Sequence, residues 1–271
     1  MRVRPLILFV VGVLCSCTFS PDNRTLAYSR LNGVRQLVEQ GKFNQAKKEL
    51  DSIHILYPQE VAVRREAQKV SDSIFCLEAY RNMQYADSVK NVLQPQYDSL
   101  ASHFVHRVNI EYPDQSYFIH RTITYTADDQ THISATIYDN SEVLLRSVWV
   151  GNDLNHTGLI FKVNDLQQSV QGSLHVTQDL ARRRNSVKIE VLTIDGVQSM
   201  SALQFVDLNR SNTIRVVLTG ESTASYTLNS NTIEALSDTY QFAILLRDML
   251  TAEQQIKRSK AIVERYSEKK E

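Results

Sequence analysis

Glycine and proline are scarce in this chain. Its 271 residues include 8 glycines and 5 prolines, which disfavours a glycine-rich phosphate-binding protein and a proline-rich linker protein. The 30 basic side chains are matched by 30 acidic ones, so the basic excess of a nucleic-acid-binding protein is absent. With 42% apolar residues, the composition is that of an ordinary globular protein, and we expect long helices and plain strands.

Motifs for catalysis and metal binding are also absent from the sequence. It contains no Gly-x-Ser-x-Gly, no His-Glu-x-x-His and no phosphate loop. His103 and His106 form the one close histidine pair, and no glutamate or cysteine stands at ligand spacing. His120, His132 and His175 would have to meet across strands, yet strand alternation places His120 on the polar face. We therefore expect no metal site, no cofactor and no enzymatic activity.

Two charged clusters fall in connections between predicted strands. Asp128 and Asp129 are adjacent, and adjacent side chains on a strand or tight turn point in different directions. We interpret them as turn residues rather than paired catalytic carboxylates. Arg182, Arg183 and Arg184 form the one basic run. A solvated loop explains this run, and contact with an anion or a phospholipid is the alternative.

The N-terminus has the features of an export signal. Two arginines precede Pro5, and the stretch from Leu6 to Leu14 contains only Leu, Ile, Phe, Val and Gly. As a helix this run is roughly 14 Å long, whereas a bilayer core needs about 20 residues. It is too short to be a transmembrane anchor. The pattern therefore predicts a signal peptide over residues 1–16.

The segment Leu14-Cys15-Ser16-Cys17 resembles the lipobox of bacterial lipoproteins. An aliphatic residue stands three positions before Cys17, and a small residue stands directly before it. The resemblance implies that the chain is cut before Cys17, that its sulfur receives a diacylglyceryl group, and that the new amino group is then acylated. Simple secretion after Ser16, with Cys17 unmodified, is the alternative.

Residues 17–25 then form a lipidated tether. Lipoproteins displayed on the surface of Bacteroidetes-type bacteria, which this chain resembles, often carry an acidic cluster there, and this tether has only Asp22. Thr18 stands where the inner-membrane retention pattern of enterobacteria has aspartate. The resemblance thus implies an outer-membrane lipoprotein facing the periplasm. Because acylation occupies Cys17, Cys76 has no partner in the mature chain, and we interpret it as a buried thiol.

Apolar residues recur at helical spacing from Leu26 to Pro58 and predict two helices separated by Gly41. Part of this segment resembles the second half of a tetratricopeptide repeat. The residues that carry the resemblance are Gly41, Phe43, Ala46, Leu50 and Pro58. The small Ala46 would let the helices approach closely, and Pro58 would stop the second helix. The pattern does not recur about 34 residues later, so we expect a single helical hairpin packed on a neighbour rather than a peptide-binding array.

Two longer apolar stripes predict long helices at either end of the chain. The first runs from Ala67 to Phe104, and Pro95 should kink or restart this helix. The second runs from Asn231 to about Lys269. Each stripe would expose apolar surface if left alone, so we expect the two helices to pack antiparallel as a stalk.

Between these helices the apolar period changes from 3.6 to 2 and predicts about eight strands. The runs are Tyr117 to Tyr125, Ile133 to Ile137, Val143 to Trp149, Leu159 to Val163, Val170 to Val176, Val187 to Thr193, Ile214 to Leu218 and Ser225 to Leu228. Their connections are too short for crossover helices, so antiparallel pairing in a sandwich or a highly curved sheet is expected. Met200 to Leu208 fits a short helix that covers one edge.

The predicted fold class is α+β. An N-terminal helical hairpin and long helix are followed by a central antiparallel β-sandwich-like domain and a long C-terminal helix that packs back on the N-terminal helix. The predicted segments are a signal peptide (1–16), a lipidated tether (17–25), the hairpin and long helix (26–107), the β domain (108–229) and the C-terminal helix of the stalk (230–271).

Two functions fit these features. The first is a non-enzymatic interaction or scaffold module, anchored to the membrane by lipid, that contacts an envelope protein through the hairpin and stalk. The alternative is a β domain that binds a glycan or peptide, with Tyr112, Tyr117, Tyr138 and Trp149 as stacking platforms. Sheet packing also explains those aromatics. A third reading is a hydrolase whose site is assembled from residues distant in sequence.

Overall fold

The computed structural model describes residues 22–108, 110, 112, 115–123, 130–177 and 188–267. The signal peptide, Cys17, Asp128–Asp129 and the arginines at 182–184 lie outside these residues. The described part of the chain is an α+β structure with five helices and two antiparallel sheets, which confirms the predicted fold class. The helices are α1 (Asn23–Glu39), α2 (Phe43–Leu56), α3 (Val61–Ala101), α4 (Gly196–Leu208) and α5 (Ser230–Ser267).

The chain forms two compact units. The helical unit is Met1–Arg81 with Lys260–Glu271, and the β unit is Asn82–Ser259. The β unit therefore contains the end of α3 and most of α5 in addition to the strands. None of the described helices is both long and apolar enough to cross a membrane.

The turn between α1 and α2 depends on Gly41. Its φ of +71° is in the left-handed region, which a residue without a Cβ adopts readily. The N–H of Lys42 donates to the carbonyl of Leu37, and the N–H of Gly41 donates to that of Val38, both at 2.9 Å. This pair of hydrogen bonds is a Schellman motif, which ends α1 and satisfies two of its last carbonyls.

Helices α3 and α5 pack antiparallel, as the two apolar stripes predict. In the helical unit, the rings of Phe75 and Tyr266 are stacked with centroids 5.7 Å apart. In the β unit, Lys90 Nζ lies 2.6 Å from Glu253 Oε1. Residues later in α3 therefore contact residues earlier in α5, as in an antiparallel pair.

Two details of the first long helix differ from the prediction. Helix α3 does not restart at Pro95 but continues to Ala101, because burial of Tyr97 and Leu100 against the core of the β unit outweighs the one backbone hydrogen bond that proline removes. Phe104, assigned to the same apolar stripe, instead begins a strand. Its side chain is buried there, and one apolar residue at the end of a helical stripe does not by itself distinguish helix from strand.

The described residues contain ten strands. They are β1 (Phe104–Arg107), β2 (Tyr117–His120), β3 (His132–Tyr138), β4 (Val143–Gly151), β5 (Gly158–Val163), β6 (Leu166–Gln171), β7 (Ser173–Thr177), β8 (Lys188–Ile194), β9 (Arg215–Thr219) and β10 (Thr223–Thr227). One sheet has the order β1-β2-β3-β4-β8-β7, and the other has the order β10-β9-β5-β6. Apolar residues of both sheets, of α4 and of α5 form one core, which includes Leu145, Phe161, Leu203 and Phe242.

The predicted strand from Val170 to Val176 is wrong as a single strand. It splits at Gly172 into β6 and β7, which belong to different sheets. A Cβ on Gly172 would lie 2.2 Å from the backbone oxygen of Thr193 in β8. The chain therefore passes from one sheet to the other at a position where only glycine fits. Apolar residues alternate on both sides of Gly172, so the sequence pattern gives no sign that the strand ends there.

Replacement of Gly172 by alanine is expected to lower the free energy of unfolding by about 3 kcal/mol, because the added methyl group overlaps the backbone of β8. Urea unfolding followed by circular dichroism measures this loss. The control is Gly33→Ala in α1, where an added Cβ meets no atom within 4 Å. That variant should gain about 0.5–1 kcal/mol from helix propensity. A Gly172→Ala protein as stable as the wild type would contradict the assigned close approach.

Candidate functional site

A groove of about 550 Å³ lies on the helical unit between α1 and α3. Two half-buried valines, Val38 and Val70, form its apolar floor. Its remaining lining residues are Arg35, Glu39, Glu66, Lys69 and Ser73. We call this feature the α1–α3 groove.

One ion pair spans the α1–α3 groove. Arg35 Nη2 lies 2.8 Å from Glu66 Oε2, and both side chains are nearly half exposed, so this pair contributes at most about 1 kcal/mol. Lys69 and Glu39 are exposed, and none of the ion pairs found in the described part of the chain uses them. The groove therefore presents the Lys69 ammonium and the Glu39 carboxylate beside the apolar surface of Val38 and Val70.

The residues of the tetratricopeptide-like pattern build the hairpin and do not line the groove. Ala46 and Leu50 are buried in the core of the helical unit. The half-buried ring of Phe43 lies under the Arg81 guanidinium, at 5.3 Å. The carbonyl of Pro58 accepts a hydrogen bond from Arg64 Nη1 at 3.0 Å.

Further apolar side chains are exposed on the helical unit. Where α2 leads into α3, Ile55, Leu56 and Val61 are each more than half exposed. Cys76 is half-buried rather than buried, because the buried positions around it are Ile74 and Ala79, and Cys76 is off that face of α3.

The β unit brings together His103, His120 and Asp238, which we call the His–Asp cluster. His103 directly precedes β1, His120 ends β2, and Asp238 lies on α5. His103 Nδ1 is 2.7 Å from Asp238 Oδ2, and His120 Nε2 is 3.4 Å from the same oxygen. The cluster therefore joins the ends of two neighbouring strands to the C-terminal helix.

His120 is buried, and its predicted position on the polar face of the strand is wrong. Its ring packs edge-on against Phe104, with centroids 5.2 Å apart, and its Nδ1 lies 2.8 Å from Thr122 Oγ1. Burial lowers the pKa of His120, and this effect outweighs the opposing influence of the nearby Asp238 carboxylate. Burial thus favours the neutral imidazole.

The remaining predicted histidines lie elsewhere. His106 Nε2 is 2.8 Å from Asp139 Oδ1, so the adjacent pair in sequence does not form one site. His132 Nδ1 lies 2.8 Å from the carbonyl of Gln130, and His175 is exposed on β7. No spacing rule identifies the actual partner of His103, because Asp238 is 135 residues away.

A second groove, of about 470 Å³, lies in the β unit, and we call it the β-unit groove. It is lined by Lys90, Gln94, Tyr97, His106, Phe118, Asp139, Leu246, Met249, Leu250 and Glu253. The ring of His106 stacks on Phe118 with centroids 4.2 Å apart. Burial, together with the neighbouring Asp139, Asp98 and Glu253 carboxylates, raises the pKa of Tyr97, so its hydroxyl is a neutral donor and acceptor at neutral pH.

The aromatics predicted as stacking platforms are not among the residues that line this groove. Tyr117 and Tyr138 form a cross-strand pair with centroids 6.4 Å apart. Trp149 is half-buried and donates from Nε1 to the carbonyl of Asn152 at 3.0 Å. Tyr112 is exposed. Tyr97 and Phe118 are the aromatic residues of the groove instead.

A buried polar centre that was not predicted from the sequence lies where Glu190 of β8 meets the loop between β4 and β5. The Glu190 carboxylate accepts hydrogen bonds from the backbone N–H groups of Leu154, Asn155 and His156 at 2.7–3.1 Å, and from His156 Nδ1 at 2.8 Å. Glu190 and His156 are fully buried. A carboxylate in such a position stabilises a loop by satisfying its backbone donors.

Comparison with known proteins does not assign any of these features. No family model matches the chain, and neither the curated proteins nor the solved structures contain a match. The function therefore has to be inferred from the residues and their geometry.

Proposed function

We propose that the chain is a lipid-anchored protein of the bacterial cell envelope that binds another envelope protein through the α1–α3 groove and catalyses no reaction. The lipobox-like segment ending at Cys17 supports the anchor. The absence of catalytic motifs from the sequence supports a non-enzymatic role.

Acylation of Cys17 would hold the protein at the membrane. Each buried methylene of an acyl chain contributes about 0.8 kcal/mol, so two or three chains anchor a protein essentially permanently. The outer membrane, on the periplasmic side, is the location we propose from Thr18 and from the lone acidic residue of the tether, Asp22.

The observation that carries the binding role is the apolar floor between unlike charges. Burial of Val38 and Val70 under a partner side chain would contribute about 25 cal/mol per Å² of apolar surface. Lys69 would attract an acidic group of the partner and Glu39 a basic one, which would orient the bound segment. A partner segment with an apolar residue between an acidic and a basic residue fits this arrangement.

Photo-cross-linking in native membranes tests the proposed surface. A photoreactive amino acid at Ser73, which lines the groove and carries neither orienting charge, is expected to give a discrete adduct with an envelope protein. The matched position is Ser52 on α2, which lines no part of the groove and, like Ser73, donates to the carbonyl four residues earlier. Gel mobility and mass spectrometry of the adduct measure the result.

Charge reversal separates specific binding from proximity at the membrane. Glu39→Lys should lower the adduct yield several-fold because it reverses one of the two orienting charges. Asp51→Lys, an equal change at an exposed position of α2, should leave the yield unchanged. Equal adduct yields from Ser73 and Ser52, or an adduct yield that Glu39→Lys does not change, would reject the groove as the binding surface.

A second candidate function is the binding of a small ligand in the β-unit groove. Polar groups of Tyr97, Lys90 and Asp139 converge there beside the apolar Leu246 and Phe118. Such a combination of apolar walls and a few polar groups is typical of ligand sites. A glycan ring or a peptide side chain would pack against Phe118.

A further inference from the structure

We propose that the His–Asp cluster binds a divalent transition-metal ion of the zinc class. One ligand atom from each of His103, His120 and Asp238 lies within 4.8 Å of the others. Imidazole nitrogen and carboxylate oxygen are ligands that Zn²⁺ prefers, and three protein ligands with one open position are a known coordination pattern. This proposal is independent of partner binding at the α1–α3 groove.

Two of the three ligand separations are close to those of a tetrahedral metal site, and the third is below 4.8 Å. With metal–ligand bonds of about 2.0–2.1 Å, a tetrahedral ion separates its ligand atoms by roughly 3.3 Å. His120 Nε2 and Asp238 Oδ2 are already 3.4 Å apart. His103 Nδ1 and Asp238 Oδ2 are at hydrogen-bond distance, 2.7 Å, and would have to separate by about 0.6 Å to admit the ion.

The ligand that has to move is the one that is free to do so. The His103 side chain is 47% exposed and lies between the end of α3 and the start of β1, so its ring can shift without disturbing the core. His120 and Asp238 are only 5% and 16% exposed. Two fixed ligands and one adjustable ligand allow the site to close around an ion.

Thr122 holds the second nitrogen of His120. The Nδ1 atom lies 2.8 Å from Thr122 Oγ1 and accepts the backbone N–H of Thr122 at 3.3 Å. Metal binding through Nε2 requires the tautomer in which Nδ1–H donates to Thr122 Oγ1. Hydrogen bonds of this kind fix the tautomer and the ring orientation of histidine ligands. Packing of the ring against Phe104 adds a further constraint on its orientation.

A second carboxylate lies close to the cluster. Glu234 is one turn before Asp238 on α5, is exposed, and acts electrostatically on His120. Water would complete the coordination. The two carboxylates would balance the charge of a divalent ion, and the bound ion would connect β1 and β2 to α5. Two nitrogen ligands disfavour Mg²⁺ and Ca²⁺, which prefer oxygen.

Metal titration of the full chain tests the proposal. The protein is prepared in detergent without a polyhistidine tag, stripped with a chelator and titrated with Co²⁺ and then Zn²⁺. We expect one equivalent of Co²⁺ to bind with visible absorption bands typical of tetrahedral coordination, and Zn²⁺ to displace it. Excess Mg²⁺ or Ca²⁺ should not displace it. Zn²⁺ should also raise the thermal unfolding midpoint, because it binds the folded state.

Variants assign the ligands. His103→Ala and Asp238→Asn should each weaken binding by at least the roughly 10-fold to 100-fold that loss of a ligand's hydrogen-bond partner causes, while His175→Ala, at an exposed histidine on β7, should bind like the wild type. Circular dichroism checks that each variant is folded, and Asp238→Asn keeps the volume of the side chain. The proposal is wrong if neither ion binds saturably, if Mg²⁺ competes equally, or if binding survives both ligand substitutions.

Discussion

The Cys17→Ser protein is expected to leave the membrane and to appear in the soluble fraction. Serine cannot form the thioether that holds the diacylglyceryl group, so every acyl chain of the proposed anchor is lost together. Because each buried methylene contributes about 0.8 kcal/mol, the predicted change is from essentially permanent attachment to none. Fractionation of cells, with mass spectrometry of the N-terminal peptide, measures both the location and the modification.

The other two cysteines provide matched controls. Cys15→Ser keeps the spacing of the lipobox-like segment, and Cys76→Ser removes the half-buried thiol of α3. Both proteins should remain at the membrane and carry lipid. An unmodified Cys17, retained residues 1–16, or a Cys17→Ser protein that stays on the membrane would refute the anchor and the proposed location.

Replacement of Glu190 by alanine is expected to lower the free energy of unfolding by about 3–5 kcal/mol. The change leaves the backbone N–H groups of Leu154, Asn155 and His156 without their acceptor, and two of these residues are fully or almost fully buried. Asn155 has a φ of +48°, in the left-handed region. Its carbonyl oxygen packs closely on Gly220, since a Cβ added to Gly220 would lie only 2.4 Å from that oxygen. The Glu190 hydrogen bonds therefore hold a strained, closely packed loop in place.

The contribution of Glu190 to the free energy of unfolding decreases as the pH falls. Burial alone would raise the pKa of Glu190, but the hydrogen bonds from His156 and the backbone outweigh it and hold the pKa below the usual 4.5. Since the pKa is lower in the folded protein, the stabilisation is complete above about pH 4.5 and is lost as the pH falls through the folded-state pKa. Urea unfolding of the wild type and Glu190→Gln should show a stability difference that narrows as the pH is lowered below 4.5.

A suitable control for Glu190 is Glu142, which is exposed beside β4. Glu142→Ala should change stability by no more than about 0.5 kcal/mol. If Glu190→Ala lowered the free energy of unfolding by no more than Glu142→Ala does, the result would show that the Glu190 carboxylate does not stabilise the loop.

The helices were predictable because their signals are local. The left-handed turn at Gly41 and the apolar stripes of α3 and α5 are visible within one or two turns of sequence. Antiparallel packing of the two long helices also followed, because each stripe needs an apolar partner. Strand alternation likewise indicated the antiparallel sheets.

The predictions that were wrong concern local sequence patterns that are compatible with more than one tertiary structure. Alternation continues across Gly172, although the chain changes sheets there. Phe104 continues the apolar stripe of α3 in the sequence, but it begins a strand and is buried there. Pro95 remains within α3 because packing of the neighbouring apolar residues outweighs one lost hydrogen bond.

The residues of the candidate sites were harder to predict from the sequence than the strands and helices. The pair His103 and His106 was conspicuous, but His103 precedes β1 and His106 lies within it, and each histidine has a different acidic partner. The partner of His103 and His120 is Asp238 on a distant helix. Glu190 likewise meets its loop 34–36 residues away.

The amino-acid sequence by itself determined the class of fold, the positions of the long helices and the lipobox-like segment, because apolar periodicity and short motifs depend on neighbouring residues. Only the tertiary structure decided which sheet each strand joins and which polar groups meet. The α1–α3 groove, the His–Asp cluster and the Glu190 centre all depend on chain segments brought together by burial of the apolar core, and side-chain order along the chain does not encode those distances directly.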